Sequence, residues 1–363
     1  MNLRLKEVLA ILGTLGLLYI FLVSIGLMGA SFKLFGKDFA NQIISYTSSP
    51  FVGLFIGILV TSLIQSSSTT TSMVVGMVGG GVLTVETAIP IIMGANIGTS
   101  ITNTIVSMGH IGRKEELGRA FAASTIHDFF NLLSVLILFP LQLTTNFLGK
   151  FANWLGIVFV NTGGLKFTSP VKTITKPFIT WIIDLVDKQP VVVLIIGLLF
   201  LFISLKYLVT LLKTMVIKQI EPLFDQYIFK TAIRGFVFGI LLTVMVQSSS
   251  ITTSILVPLA GAGVLTLHQI YPYTLGANIG TTITAILASL VTGEIAPVTV
   301  AFSHLLFNVT GIVIIYGIPF LRKIPLILAQ KLANRAMEKR WIPLVYILVV
   351  FFIIPILLIF ITR

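Results

Sequence analysis

The chain of 363 residues contains no cysteine, which excludes disulfides, thiolate metal sites and thiol nucleophiles. It is also poor in charge: 10% of residues, with 12 Asp and Glu against 24 Lys and Arg. No nucleophile, base and orienting group fall together in the sequence, so an enzyme is not expected. The basic residues are scattered between apolar runs rather than clustered. The net charge of +12 therefore fits loops held on the cytoplasmic side better than nucleic-acid binding, and no nucleic-acid partner is expected.

What is abundant is apolar surface. Hydrophobic residues make up 56% of the chain and the mean hydropathy is +1.05, far more than a soluble domain needs once its core is filled. Runs such as Val191 to Leu205 and Leu344 to Ile361 carry no charge and suit a bilayer core. The composition predicts an all-α polytopic membrane protein. Arg4 and Lys6 precede an apolar run from Val8 to Phe32 that is long for a signal peptide, so it reads as a retained first helix with a cytoplasmic N-terminus.

The chain repeats itself. Gln65-Ser66-Ser67-Ser68 recurs as Gln247-Ser248-Ser249-Ser250, and Gly94-Ala95-Asn96-Ile97-Gly98-Thr99 recurs as Gly276-Ala277-Asn278-Ile279-Gly280-Thr281, both at an offset of 182 (247 − 65 and 276 − 94). Further on, His127 and Asn131 match His304 and Asn308 at an offset of 177 (304 − 127). The polar positions match while apolar neighbours drift, as in Met73 and Ile255. This predicts a first repeat over 1–140, an outer connecting segment over 141–189, a second repeat over 190–320, and a basic inner segment with a last span over 321–363. Counting positive loops orients the copies oppositely, which predicts inverted repeats, about seven full spans and two hairpins.

The Gln-Ser-Ser-Ser elements do not read as ordinary spans. Fourteen residues, Phe51 to Ile64, reach only about 21 Å as a helix, short of a hydrocarbon core of about 30 Å. Two short arms joined by a polar turn predict re-entrant helical hairpins, over 51–83 and 229–267, with tips at mid-membrane. The glycines beside Asn96 and Asn278 predict helix breaks there.

Such tips offer two kinds of chemistry. A helix starting at a tip presents free N–H groups, and Ser66, Ser67, Ser68, Ser248, Ser249 and Ser250 add hydroxyl donors, an uncharged cradle for a tetrahedral oxyanion. Sodium requires oxygen lone pairs, which Gln65, Gln247, Asn96, Asn278, Thr99 and Thr281 supply. Asp128 is the one acidic residue placed inside a span. A carboxylate at that depth is costly unless it is paired with a cation or protonated; Asp128 reads as an ion ligand with Asn131 one turn away. His127 and His304 read as packing or as a hydrogen bond between the halves.

These residues carry a resemblance. The doubled Gln-Ser-Ser-Ser motif, Met93 to Val106, and Arg119 to Asn131 resemble the type II sodium–phosphate cotransporters and their bacterial relatives. The resemblance implies secondary active uptake of inorganic phosphate, with sodium as co-substrate and no other cofactor, through inverted repeats in the cell (inner) membrane. An anion channel, or a symporter of sulfate or arsenate, is the alternative. In that family an Asp matching Asp128 marks electrogenic members, although Ser124 resembles the electroneutral form. The resemblance also implies a second-repeat cation site at Gln247, Ser248, Asn278, Thr281 and Thr284. His110, Arg113 and Ala277 depart from the vertebrate pattern at the other sodium site. The expected partners are phosphate, sodium and the lipid bilayer, and a homodimer is compatible with this reading.

Overall fold

The computed structural model describes residues 3–47, 49–161, 170–220 and 228–362. Those residues form helices and connections, with no strand among them. The first half contains α1 (Leu3–Phe35), α2 (Lys37–Tyr46), α3 (Pro50–Ile64), α4 (Ser67–Gly79), α5 (Val85–Gly98), α6 (Ile101–Ser107) and α7 (Lys114–Thr145). Two helices follow, α8 (Phe147–Asn161) and α9 (Pro170–Leu185). The second half contains α10 (Pro190–Ile220), α11 (Ala232–Val246), α12 (Ser249–Ser254), α13 (Leu256–Gly261), α14 (Leu267–Leu290) and α15 (Ile295–Gly311). It ends with α16 (Pro319–Glu338), α17 (Ile342–Leu348) and α18 (Ile354–Thr362).

Among the described residues six helices are long and apolar enough to cross a membrane. The 24-residue α14 has the length but carries the polar Asn-Ile-Gly-Thr motif. Exposed Leu12, Leu15, Val191, Ile195, Leu199 and Ile361 form the outward apolar face expected against lipid. The chain is a multi-pass membrane protein.

Helix α1 packs along α10, with Gly13 against Leu211 and Gly197 against Met28. One number rises as the other falls, so the opening helices of the two halves run antiparallel and the repeats are inverted. Within the first repeat, Gly53 faces Thr87 and Pro90, while Gly98 faces Ile58 and Thr61; both numbers rise, so α3 and α5 run parallel. Residues 80–84 join α4 to α5 directly, which puts the end of α4 beside the start of α3. The α3–α4 pair therefore doubles back at Gln65. The second repeat copies this: Gly235 faces Gln269 and Gly280 faces Ile240 and Thr243, so α11 turns back through α12 and α13.

The expected helix breaks are corrected by the structure. Helix α14 runs uninterrupted through Asn278, and α5 is helical through Asn96, interrupted only around Thr99 and Ser100, both with right-handed helical backbone. The glycines serve close approach instead. A Cβ at Gly94 would collide with the Leu54 carbonyl, one at Gly276 with the Phe236 carbonyl, and one at Gly57 with the Ile91 carbonyl. In lipid the apolar effect does not drive helices together, so backbone proximity and hydrogen bonds must. The 141–189 segment also differs from a bare connection: α8 packs on α15, with Gly156 against Thr299, and α9 packs on α1, with Ile179 beside Gly26.

Candidate functional site

Both hairpin tips have the same unusual backbone. Gln65 (φ 56°) and Gln247 (φ 58°) adopt the left-handed conformation, which costs a side-chain-bearing residue on the order of 1–3 kcal/mol. The turn lets each chain reverse, and the next serine caps the returning arm. Ser66 Oγ accepts from the Thr69 N–H and hydroxyl at 3.2 and 2.8 Å, and Ser248 Oγ accepts from the Ile251 N–H at 3.4 Å. In accepting, each serine keeps its own hydroxyl hydrogen to donate outward. Paired threonines pin the arms, Thr61 to Thr70 at 3.0 Å and Thr243 to Thr252 at 2.8 Å.

The two tips meet at one cavity of about 340 Å³. Gln65, Ser66, Ser68, Thr69 and Thr102 line it from the first repeat, and Gln247, Ser248, Ser250 and Ile251 from the second. Phe202, Leu205, Lys206 and Thr210 of α10 form a third wall. Ser68 Oγ donates to the Gln247 carbonyl and Ser250 Oγ to the Thr99 carbonyl, each at 3.3 Å. Ser67 and Ser249, also expected in the cradle, are buried away from this cavity.

The expected sodium ligands do not form one cluster. Thr284 Oγ1 donates at 2.8 Å to Oε1 of Gln247, which lines the cavity with Ser248. The asparagines instead form a fully buried chain between the repeats. His127 Nε2 donates to Asn278 Oδ1 at 2.5 Å, Asn278 Nδ2 donates to Asn131 Oδ1 at 2.8 Å, and Asn131 Nδ2 donates to the Asn96 carbonyl at 2.8 Å. The matching His304 Nε2 stands 3.4 Å from Asn96 Oδ1. Each histidine thus reaches the asparagine of the other repeat, a hydrogen bond between halves. Thr99 and Thr281 bond back to their own helices, at Ala95 and Ala277.

Asp128 has a different hydrogen-bond partner from Asn131. Its Oδ2 accepts from the Tyr346 hydroxyl at 2.9 Å, while its Oδ1 is buried without a partner. Ser100 and Thr104 face the same carboxylate. His110 and Arg113 lie at the rim of the first repeat, sharing Glu116 at 3.1 and 2.8 Å. The hydrogen bond to Glu116 raises the Arg113 pKa above its ordinary value.

Three residues of these sites escape sequence reasoning. Thr102 is the 182-offset partner of Thr284 (284 − 182) and was findable from the repeat. Lys206 signals itself only as a cation just past the uncharged run of α10. Tyr346 gives no signal, because its contact depends on how the last span docks. Among the described residues no cluster of His, Asp and Glu suits a transition-metal ion.

The family described as Na+/Pi-cotransporter matches this chain over residues 20–167 and 190–318. The sodium-dependent phosphate transport protein 2B of Homo sapiens is 36% identical, covering 94% of this chain and 63% of that protein. The 2B protein of Pongo abelii is likewise 36% identical, with the same coverage. The 2A protein of Rattus norvegicus is 35% identical, covering 97% of this chain and 69% of its own length. The chain thus spans a little under two thirds of the 2B relatives. No solved structure matches it.

Proposed function

The chain belongs to the Na+/Pi-cotransporter family, and from that premise we propose that it is a sodium-coupled symporter that carries inorganic phosphate into the cell by alternating access. The observation that carries this reading is the cavity into which both inverted hairpin tips converge. Ser66 and Ser248 keep their hydroxyl hydrogens for an oxyanion there, and Ser68 and Ser250 can turn theirs from the Gln247 and Thr99 carbonyls, without adding charge to hold it fixed. A desolvated phosphate needs counter-charge. Two unit charges about 4 Å apart gain about 4 kcal/mol at an effective dielectric of 20, so sodium bound alongside makes the anion transferable across the core.

We place one sodium at Gln247, Ser248 and Thr284, and another at Asp128 with Ser100 and Thr104. Asn96, Asn131 and Asn278 join His127 and His304 as the contact over which the repeats move. Asp128 supports electrogenic transport, and the basic loops support a cytoplasmic N-terminus. Sodium and phosphate should tighten each other's binding by the same factor.

The test is labelled phosphate uptake into proteoliposomes, with an inward sodium gradient or with choline in its place. Uphill accumulation only with sodium is expected. Equal, non-concentrative flux in both conditions would replace the symporter with a channel.

A further inference from the structure

We propose that Lys206 is the anion-selecting residue of the inter-repeat cavity, its ammonium supplying the fixed positive charge that the neutral serine tips lack. The inference rests on the symport reading above for its substrate, inorganic phosphate, but on geometry for its site.

Phe202, Lys206 and Thr210 recur every four residues on α10, and all three line the cavity opposite Ser66, Ser68 and Ser248. A lysine near the end of an apolar span commonly snorkels to the interface, and Lys206 lies two residues before the end of the apolar window Pro190–Leu208. A purely snorkelling lysine has no need to share a cavity with both hairpin tips. Among the described residues no acidic side chain lines that cavity. The ion pairs among the described residues engage Lys33, His110, Arg113 and Arg335, not Lys206. Lys206 Nζ lies 5.9 Å from the Tyr207 ring centroid, a contact that keeps the charge intact.

The repeat adds an independent observation. The position matching Lys206 in the first repeat is Ser24 (206 − 182), fully buried and bonded to the Phe21 carbonyl. The cation is therefore on one wall only of an otherwise paired site. An anion between the tips is drawn toward α10, and a cation entering the same cavity is pushed to the Gln247 and Thr284 side. One residue thus separates the two co-substrates in space.

The absence of cysteine permits a direct test. In Lys206→Cys the introduced thiol is the only one, and methanethiosulfonate reagents can return a positive (aminoethyl), neutral (methyl) or negative (sulfonatoethyl) group. The phosphate KM in sodium-driven uptake is expected to rise about tenfold in Lys206→Cys and Lys206→Gln, equivalent to about 1.4 kcal/mol, and to stay within a few-fold in Lys206→Arg. The aminoethyl adduct should restore it, the methyl adduct should not, and the sulfonatoethyl adduct should abolish uptake. Phosphate with sodium should slow modification of the thiol. An unchanged KM in Lys206→Gln, adducts that behave alike whatever their charge, or modification indifferent to phosphate would overturn the proposal. Absence of sodium-driven uptake in the unmutated protein would overturn the symport reading instead, and protection of the thiol by phosphate would still decide the anion contact.

Discussion

Thr284 donates its hydroxyl to Gln247 at 2.8 Å, whereas the matching Thr102 has a buried hydroxyl with no partner and its own tip glutamine, Gln65, is exposed. The same latch is thus closed in one repeat and open in the other. Inverted repeats that exchange such asymmetries give two opposite-facing states from one fold. The central network is unequal in the same way: Asn131 bridges Asn96 and Asn278, while Asn308 bonds only to the His304 carbonyl and leaves its Oδ1 unpaired.

Removing one hydroxyl tests the closed latch. Thr284→Val keeps the shape and should weaken sodium activation of uptake several-fold, the effect of losing about 1 kcal/mol of hydrogen bonding. The double variant with Gln247→Ala should be little worse than Gln247→Ala alone. Fully additive effects in a double-mutant cycle on the sodium half-saturation constant would show the pair to be uncoupled.

The left-handed glutamines store strain that glycine would release. Gln65 is exposed, so Gln65→Gly should raise thermal stability in detergent by up to about 1 kcal/mol, the relief of about 1–2 kcal/mol at a left-handed residue less about 0.5–1 kcal/mol of glycine backbone entropy, while lowering transport. Gln247→Gly gains the same backbone relief but loses the Thr284 bond, so its stability should change little. Thermal unfolding of the two variants side by side reads the difference; equal shifts would place the strain elsewhere.

The helix contacts at Gly94 and Gly276 leave no room for a methyl group, since both face a neighbouring carbonyl. Gly94→Ala and Gly276→Ala should each destabilise the fold by about 1–3 kcal/mol or more through forced separation of the helices. Gly109→Ala, with open space around its Cβ, is the neutral control. Size-exclusion recovery after a heat step ranks the three.

These glycines also show what the sequence could and could not convey. The offset of 182 reached beyond the ligands to structure: Pro90 and Pro272 lie inside the matching helices, and Thr84 and Thr266 form matching capping boxes. A glycine pair in a membrane segment serves a helix break and a close contact equally well, so spacing alone could not choose between them. Ser67 and Ser249 face away from the cavity because a helical start turns successive side chains about 100° apart, and three consecutive serines cannot all point one way. Tyr346 reaches Asp128 across 218 positions, a distance that only packing closes.

That contact separates charge from support at the carboxylate. Asp128→Asn removes the negative charge while keeping an acceptor for Tyr346, so sodium-driven uptake should lose its response to an inside-negative voltage at little cost in stability. Tyr346→Phe keeps the charge but leaves Oδ2 without its donor, beside an Oδ1 that already has none. An unsatisfied buried group costs about 1–3 kcal/mol, and bound sodium would satisfy it. Tyr346→Phe should therefore be unstable without sodium and regain much of that stability when sodium is added, with voltage dependence retained. Thermal unfolding across a sodium titration measures the first, and uptake under a potassium diffusion potential the second. A Tyr346→Phe variant that sodium fails to stabilise more than the unmutated protein would remove the cation from Asp128.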